Sequence, residues 1–219
     1  MNAIIISQVK INETDLLLTA LLDDDETIKI KIPGILKSKK RSTNSFYPGS
    51  VLSFVIANPT KNILIPKEHE LLYSPVGDTT AYDSLVNLEA LLAPLKLSYV
   101  QNSLEIYSLL FSLVKDWASF EPVNQHYMID RFYQIIMKQL GIFHEETICC
   151  KCDKLLNNNG LFYFHHGIMC NSCRSANRLS ASHGIPQQWF QLTFENYADI
   201  DLRYSISIRK TILQYIKSP

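Results

Sequence analysis

The chain has 219 residues, 47% of them hydrophobic and 19% charged, an ordinary composition with room for one large domain or two to three small ones. Lysine plus arginine equals aspartate plus glutamate at 21 each, so the chain as a whole offers no net field to a polyanion and any nucleic-acid contact must be local. With seven glycines and no G-x-x-x-x-G-K-[ST] or G-x-G-x-x-G, a sequence-level nucleotide phosphate cradle is excluded.

The opening MNAIIISQVK holds an apolar run too short and too poor in positive charge for a secretory leader, and no later stretch approaches a membrane span. A cytoplasmic, reducing setting is the expectation. From residue 3 to about residue 73 the pattern is short, β-rich and punctuated. AIIISQV and DLLLTALL are apolar runs of strand length, separated by KINET and ended by the acidic turn Asp23-Asp24-Asp25. Thr27 to Ile32 alternates strictly, with Ile28, Ile30 and Ile32 on one face and Lys29 and Lys31 on the other. Pro33-Gly34 stops this strand, and VLSFVIA and NILI supply two more. About five strands result, the number in an OB-fold barrel, although strand count alone does not separate that fold from other small barrels or sandwiches.

Between the third and fourth strands lies LKSKKRSTNSFYPGS, where Lys37, Lys39, Lys40 and Arg41 stand beside Phe46 and Tyr47. Cations that meet phosphates next to rings that stack on unpaired bases make a single-strand binding surface, and Lys29 and Lys31 extend it from the adjacent strand. The competing reading is a solvated loop with two aromatics that belong to the core.

SPVGDTT, residues 74 to 80, breaks the strand pattern and divides the chain into a β domain at 1–76 and a helical domain at 77–219. Leu85, Leu88, Leu91 and Leu92 stripe a first helix that ends at Pro94. Leu104, Tyr107, Leu110, Phe111, Val114 and Trp117 stripe a second, with Ser98 as a candidate N-cap. A third opens at Pro122, carries Phe132, Ile135, Ile136 and Leu140, and stops at Gly141. Ile185-Pro186 predicts a further helical stretch through Trp189, Leu192 and Phe194. The last helix turns Ile206, Leu213 and Ile216 inward, with Arg203, Arg209 and Lys210 outward.

Between the third helix and that stretch, at 147–175, come two C-x-x-C pairs: Cys149 with Cys152, and Cys170 with Cys173. This spacing lets a small knuckle bring four thiolates around one Zn²⁺. Cys150, between the first two, is left as the spare. Disulfides would need an oxidising compartment, and an iron-sulfur cluster or unmetallated thiols remain the other occupations. A site closed by four cysteines has no open position for water, so its work is structural. His144-Glu145-Glu146 reads H-x-E, part of the zinc deaminase signature, but Met169 rather than proline precedes the second pair. None of His69, His126, His144, His165, His166 and His183 stands in a hydrolase or nucleophile motif, so no enzymatic activity is expected.

Three stretches resemble the RecO family of bacterial recombination mediators. Glu13-Thr14-Asp15-Leu16-Leu17-Leu18-Thr19 is similar to that family's E-x-D-L-L-x-T opening, and GILKSKKRSTNSFYPGS to its basic loop followed by an aromatic. QLGIFHEETICCKC with GLFYFHHGIMCNSC is similar to its leucine-glycine, first cysteine pair, aromatic-glycine stretch and second pair. The resemblance implies an α+β chain, with an N-terminal OB-fold barrel followed by a helical domain carrying an inserted zinc knuckle. It implies a DNA-repair accessory protein without turnover that binds single- and double-stranded DNA, anneals complementary strands, and helps load recombinase with RecR and the single-strand-binding protein. Such a protein works in the bacterial cytoplasm, at the nucleoid when acting. Two departures stand out: Asp23-Asp24-Asp25-Glu26 replaces a glycine-containing turn, and the overall charge is balanced. The alternative function is a zinc-containing OB-fold adaptor in transcription or translation that acts through protein partners.

Overall fold

Short apolar runs broken by turn residues build the N-terminal sheet, seen here in a computed structural model that describes residues 1–24, 26–38, 43–56, 63–77, 81–97, 106–143, 148–197 and 201–217. Six strands form it: β1 (Asn2–Lys10), β2 (Leu16–Leu22), β3 (Thr27–Ile32), β4 (Val51–Ile56), β5 (Ile63–Leu64) and β6 (Pro66–Tyr73). They are ordered β5-β3-β2-β1-β4-β6. All neighbours are antiparallel except β3 and β5, which run parallel through Lys29 opposite Ile63 and Ile30 opposite Leu64. The two ends of this order are consecutive in sequence, with Ile65 alone between them. A register shift between Ile5 and Ser7 in β1 adds local twist, and the sheet curls.

The alternation in β3 falls as its sequence predicts: Ile30 and Ile32 are buried, Ile28 packs against the same cluster, and Lys29 is exposed. Leu18, Leu52, Phe54 and Phe46 complete that core inside the curl. Five strands were expected and six are present. NILI shrinks to the two-residue β5, and PKEHELLY forms β6, which pairs with β4 along its length. Most of β6 is exposed, so little apolar alternation marked it in the sequence.

Five helical stretches were expected, and the first three hold. These are α1 (Tyr82–Leu92), α2 (Ile106–Asp116) and α3 (Pro122–Gln139); Leu104 and Ser98 lie outside the described residues. Gly141 ends α3 as predicted. At φ +65° its N–H reaches the Lys138 carbonyl at 3.1 Å, while the Ile142 N–H reaches Met137 at 2.9 Å, which satisfies two carbonyls of the last turn.

By packing, the chain forms two units, Met1–Ile129 and Asp130–Pro219, so α3 begins in one and ends in the other. The sheet ends at Tyr73, and α1 lies in the same unit. A Cβ on Gly49, at φ +90°, would come within 2.7 Å of the Leu88 side chain, so only glycine lets helix and turn approach this closely. Buried Gln125 joins α3 to α1 by donating to Ser84 Oγ at 2.8 Å and accepting from Asn87 at 3.0 Å.

In the second unit, β7 (Leu161–Tyr163) pairs with β8 (Gly167–Met169) and with β9 (Ile185–Pro186), followed by the short helix α4 (Asn171–Ala176) after β8, then α5 (Phe194–Tyr197) and α6 (Leu202–Lys217). Two expectations need correction here. Ile185-Pro186 is itself strand, since proline disfavours α backbone in the residue before it and Ile185 pairs with Phe162; the helical stretch through Trp189 begins after it, as a 3-10 turn at Gln187–Gln191, and resumes in α5 at Phe194. The inward stripe of α6 is also rotated from that expected. Ser205, Ile208, Arg209, Ile212 and Ile216 are buried, whereas Ile206 is exposed. Arg209 turns inward because Asp130, fully buried on α3, accepts from its Nε at 2.5 Å; Tyr197 (2.7 Å) and Ser205 donate to the same carboxylate.

Candidate functional site

The two C-x-x-C pairs reach one another through two tight turns. After Cys149 the chain reverses through Asp153, at φ +56°, and closes with the Cys149 N–H on the Lys154 carbonyl at 2.9 Å. An isolated bridge between Ile148 and Leu155 seals this loop. The second pair leaves β8 and enters α4, where Cys170 is the N-cap and its sulfur accepts from the Cys173 N–H at 3.5 Å. The Cys170 N–H in turn points at Cys149 Sγ, 3.4 Å away.

The sulfurs of Cys149, Cys152, Cys170 and Cys173 all lie within 4.8 Å of one another and could hold a metal ion. A tetrahedron with metal–sulfur bonds of about 2.3 Å has edges of roughly 3.8 Å. Cys152 and Cys170 are separated by 3.8 Å. The donor set and spacing are therefore consistent with zinc. Cys150 stands apart: its Sγ donates to the His166 carbonyl at 2.9 Å, away from the four, as the spacing implies.

The four thiols do not ionise alike. Burial opposes a thiolate at Cys149, but the N–H groups of Cys170, Lys151 and Cys152 outweigh it and bring that thiol down to about 6. The Cys173 amide lowers Cys170 as well. Cys173, hemmed in by the Cys152 and Cys170 sulfurs, is pushed up to about 12. At Cys152 the Lys154 amide and the Cys173 thiol favour the thiolate, yet the neighbouring Cys149 and Cys170 sulfurs and desolvation raise it overall. Two sulfurs favour ionisation and two resist it, so four thiolates in this space would need a cation to balance them.

The residues expected to face DNA are distributed less evenly. Lys29 is exposed on β3, but Lys31 is held by Asp15 at 2.9 Å. Lys37 is exposed and lies 3.9 Å from Glu13, a surface pair too weak to occupy it. Lys39, Lys40 and Arg41 lie outside the described residues, as do His144, Glu145 and Glu146. Phe46 is a correction: at 1% exposure its ring belongs to the core against His69, with no face open to a base. Tyr47 is half-buried and donates to Glu89 on α1 at 2.9 Å; burial and that carboxylate push its hydroxyl up to about 12.

What the sequence reading missed is the anchor of this loop. Asn12 Oδ1 accepts from the Thr14 and Asp15 N–H groups, forming a turn that presents the Asp15 carboxylate to Thr14 Oγ1 (2.6 Å), the Gly34 N–H (2.9 Å), Lys31 and Asn12. The Leu36 N–H meets the Thr14 carbonyl at 2.9 Å. These bonds, that from Thr14 foremost, hold the Asp15 carboxyl well below the ordinary carboxylate range. The β1–β2 turn therefore pins the start of the basic segment at Gly34 to Lys37. An asparagine three residues before an aspartate was the available signal.

Set against protein-family models and against curated proteins, the chain matches none. Among the described residues, no helix is long and apolar enough to cross a membrane.

Proposed function

We propose that this protein is a non-catalytic recombination mediator of the RecO kind, built on an OB barrel and a helical unit with a structural Zn²⁺ at Cys149, Cys152, Cys170 and Cys173. The observation that carries the reading is the strand pairing. If β5 and β6 count as one strand broken at Ile65, the order runs β1-β2-β3-β5/β6-β4 and returns to β1, with the third and fifth strands parallel. This order supports the reading of an OB barrel, a fold used for single-stranded nucleic acid. Asp15 within Glu13-Thr14-Asp15-Leu16 fixes the root of the basic loop, which gives the first resembling stretch a physical job beside the second. Zinc then holds the knuckle folded, and the protein anneals complementary strands and loads recombinase with RecR and the single-strand-binding protein.

The second reading, an adaptor acting through protein partners, draws support from Phe46 being buried and Lys31 being paired. Annealing of complementary oligonucleotides by zinc-loaded protein separates the two. Acceleration over the spontaneous rate is expected; annealing at the spontaneous rate, with no oligonucleotide bound at low salt, removes the mediator reading.

A further inference from the structure

The neutral net charge conceals a division. Met1–Ile129 holds 11 Lys and Arg against 14 Asp and Glu, a net −3, whereas Asp130–Pro219 holds 10 against 7, a net +3. The unit that contains the sheet is the acidic one. Within the other, the segment from Ile148 to His183 carries Lys151, Lys154, Arg174 and Arg178 against Asp153 alone. Arg174 is engaged with the Leu179 carbonyl at 3.2 Å, but Lys151, Lys154 and Arg178 are exposed and none makes an ion pair with a described acid. Four thiolates around a dication leave that centre at a net −2, so a polyanion would engage these flanking cations rather than the metal site.

The cations flank an aromatic projection. The tip of the β7–β8 hairpin, Phe164-His165-His166, stands beside α6: Phe164 stacks on Tyr215 at 4.1 Å and 18°, and the exposed His165 ring lies 4.9 Å from Tyr215. Cys150 Sγ bonds to the His166 carbonyl, which ties the turn carrying the next residue, Lys151, to the tip. Tyr163, just before the tip, donates to the Ser180 carbonyl at 3.0 Å, which ties the segment carrying Arg178 to the same hairpin. His165 holds a left-handed backbone, φ +66°, that histidine adopts only at some cost.

We infer that this hairpin tip is a contact for single-stranded nucleic acid, with Lys151 and Arg178 meeting phosphates and the exposed His165 ring, backed by Tyr215, offering a face to an unpaired base. The arrangement pairs cations with stacking rings, as sequence-tolerant single-strand binders do. The inference rests on the nucleic-acid reading above and moves part of the contact from the sheet to the cysteine knuckle.

The test is fluorescence anisotropy of a labelled oligothymidine of about 20 nucleotides, a length that spans such a site, titrated with zinc-loaded full-length protein across a range of salt. Two exposed phosphate contacts contribute about 1.4 to the slope of log affinity against log salt. Lys151→Ser with Arg178→Ser should reduce the slope by that amount. His165→Asn, which keeps the backbone conformation and removes the ring, should weaken binding roughly fivefold to tenfold at constant slope. Unchanged zinc content shows that each variant has kept its fold. An unchanged slope and affinity in these variants, with loss confined to Lys29→Ser/Lys37→Ser, would overturn the inference and leave the mediator reading standing. Failure of the wild type to bind would remove both.

Discussion

Asp130 offers the sharpest test of how the second unit is held together. Its carboxylate is fully buried and takes hydrogen bonds from Tyr197, Ser205 and Arg209, and Arg209 itself is 5% exposed. Asp130→Ala leaves a guanidinium without its counter-charge and two hydroxyls without their acceptor. Removing one partner of a buried pair costs about 3–5 kcal/mol, and the stranded hydroxyls bring the total to about 4–6 kcal/mol. That is comparable with the whole stability of a small domain. Asp130→Leu combined with Arg209→Met removes both charges and should recover most of the loss, since apolar replacement of a buried pair is often nearly neutral. Because the chain has two packing units, a single unfolding curve would mix them. The two tryptophans separate the signals: Trp117 lies in the first unit and Trp189 in the second. Urea denaturation of zinc-saturated protein in a Trp117→Phe background, followed by Trp189 fluorescence, reports the relevant transition. A loss below about 1 kcal/mol for Asp130→Ala, or a double variant as unstable as the single one, would refute the reasoning.

The cysteine cluster predicts about one zinc per chain. Cys170→Ser should abolish stoichiometric binding and unfold the knuckle, while Cys150→Ser should leave zinc content and thermal stability unchanged; equal damage from both would reassign the ligands. Asp15 predicts an acid limit. Its folded-state carboxyl is depressed below the ordinary value near 3.9, so the stability it contributes is present above about pH 4 and is lost as pH falls below that. Asp15→Asn should lower the melting temperature near pH 6 and lessen its fall on acidification. A variant whose acid profile parallels the wild type would show that the carboxylate does not hold the turn.

The strictly alternating β3, the proline-to-glycine span of α3 and the four cysteines were legible because each has a short-range cause: pleat periodicity, helix-end geometry, and ligand spacing. β6 was not, since an exposed strand needs no apolar alternation and reveals itself only through its pairing with β4. The face of α6 was misread for a related reason. Arg209 counts as a surface residue until Asp130, 79 positions earlier in the chain, supplies the buried counter-charge that draws it inward. In the basic loop, composition placed Phe46 and Tyr47 together as stackers. Their opposite fates follow from adjacency in an irregular segment, where one side chain enters the core and the next reaches a helix. The role of Asp15 was not legible, because its partners come both from its own turn, at Asn12 and Thr14, and from Lys31 on β3 and Gly34 beyond it.

The break at Ile65 also bears on the order of assembly. β1, β2 and β3 pair across short connections, and β4 can add to β1, but β3 and β4 each keep an unpaired edge until the segment from Ile63 to Tyr73 arrives and binds both. Contacts that span longer loops form later because they carry more closure entropy. During synthesis, a nascent chain ending before that segment therefore displays an open strand edge at each end of the sheet, the form in which it is most exposed to pairing with another copy. The same geometry makes the closing strand separable in principle: a chain lacking residues 63–73 would present a slot fitted to one peptide, and that peptide added in trans would act as the latch.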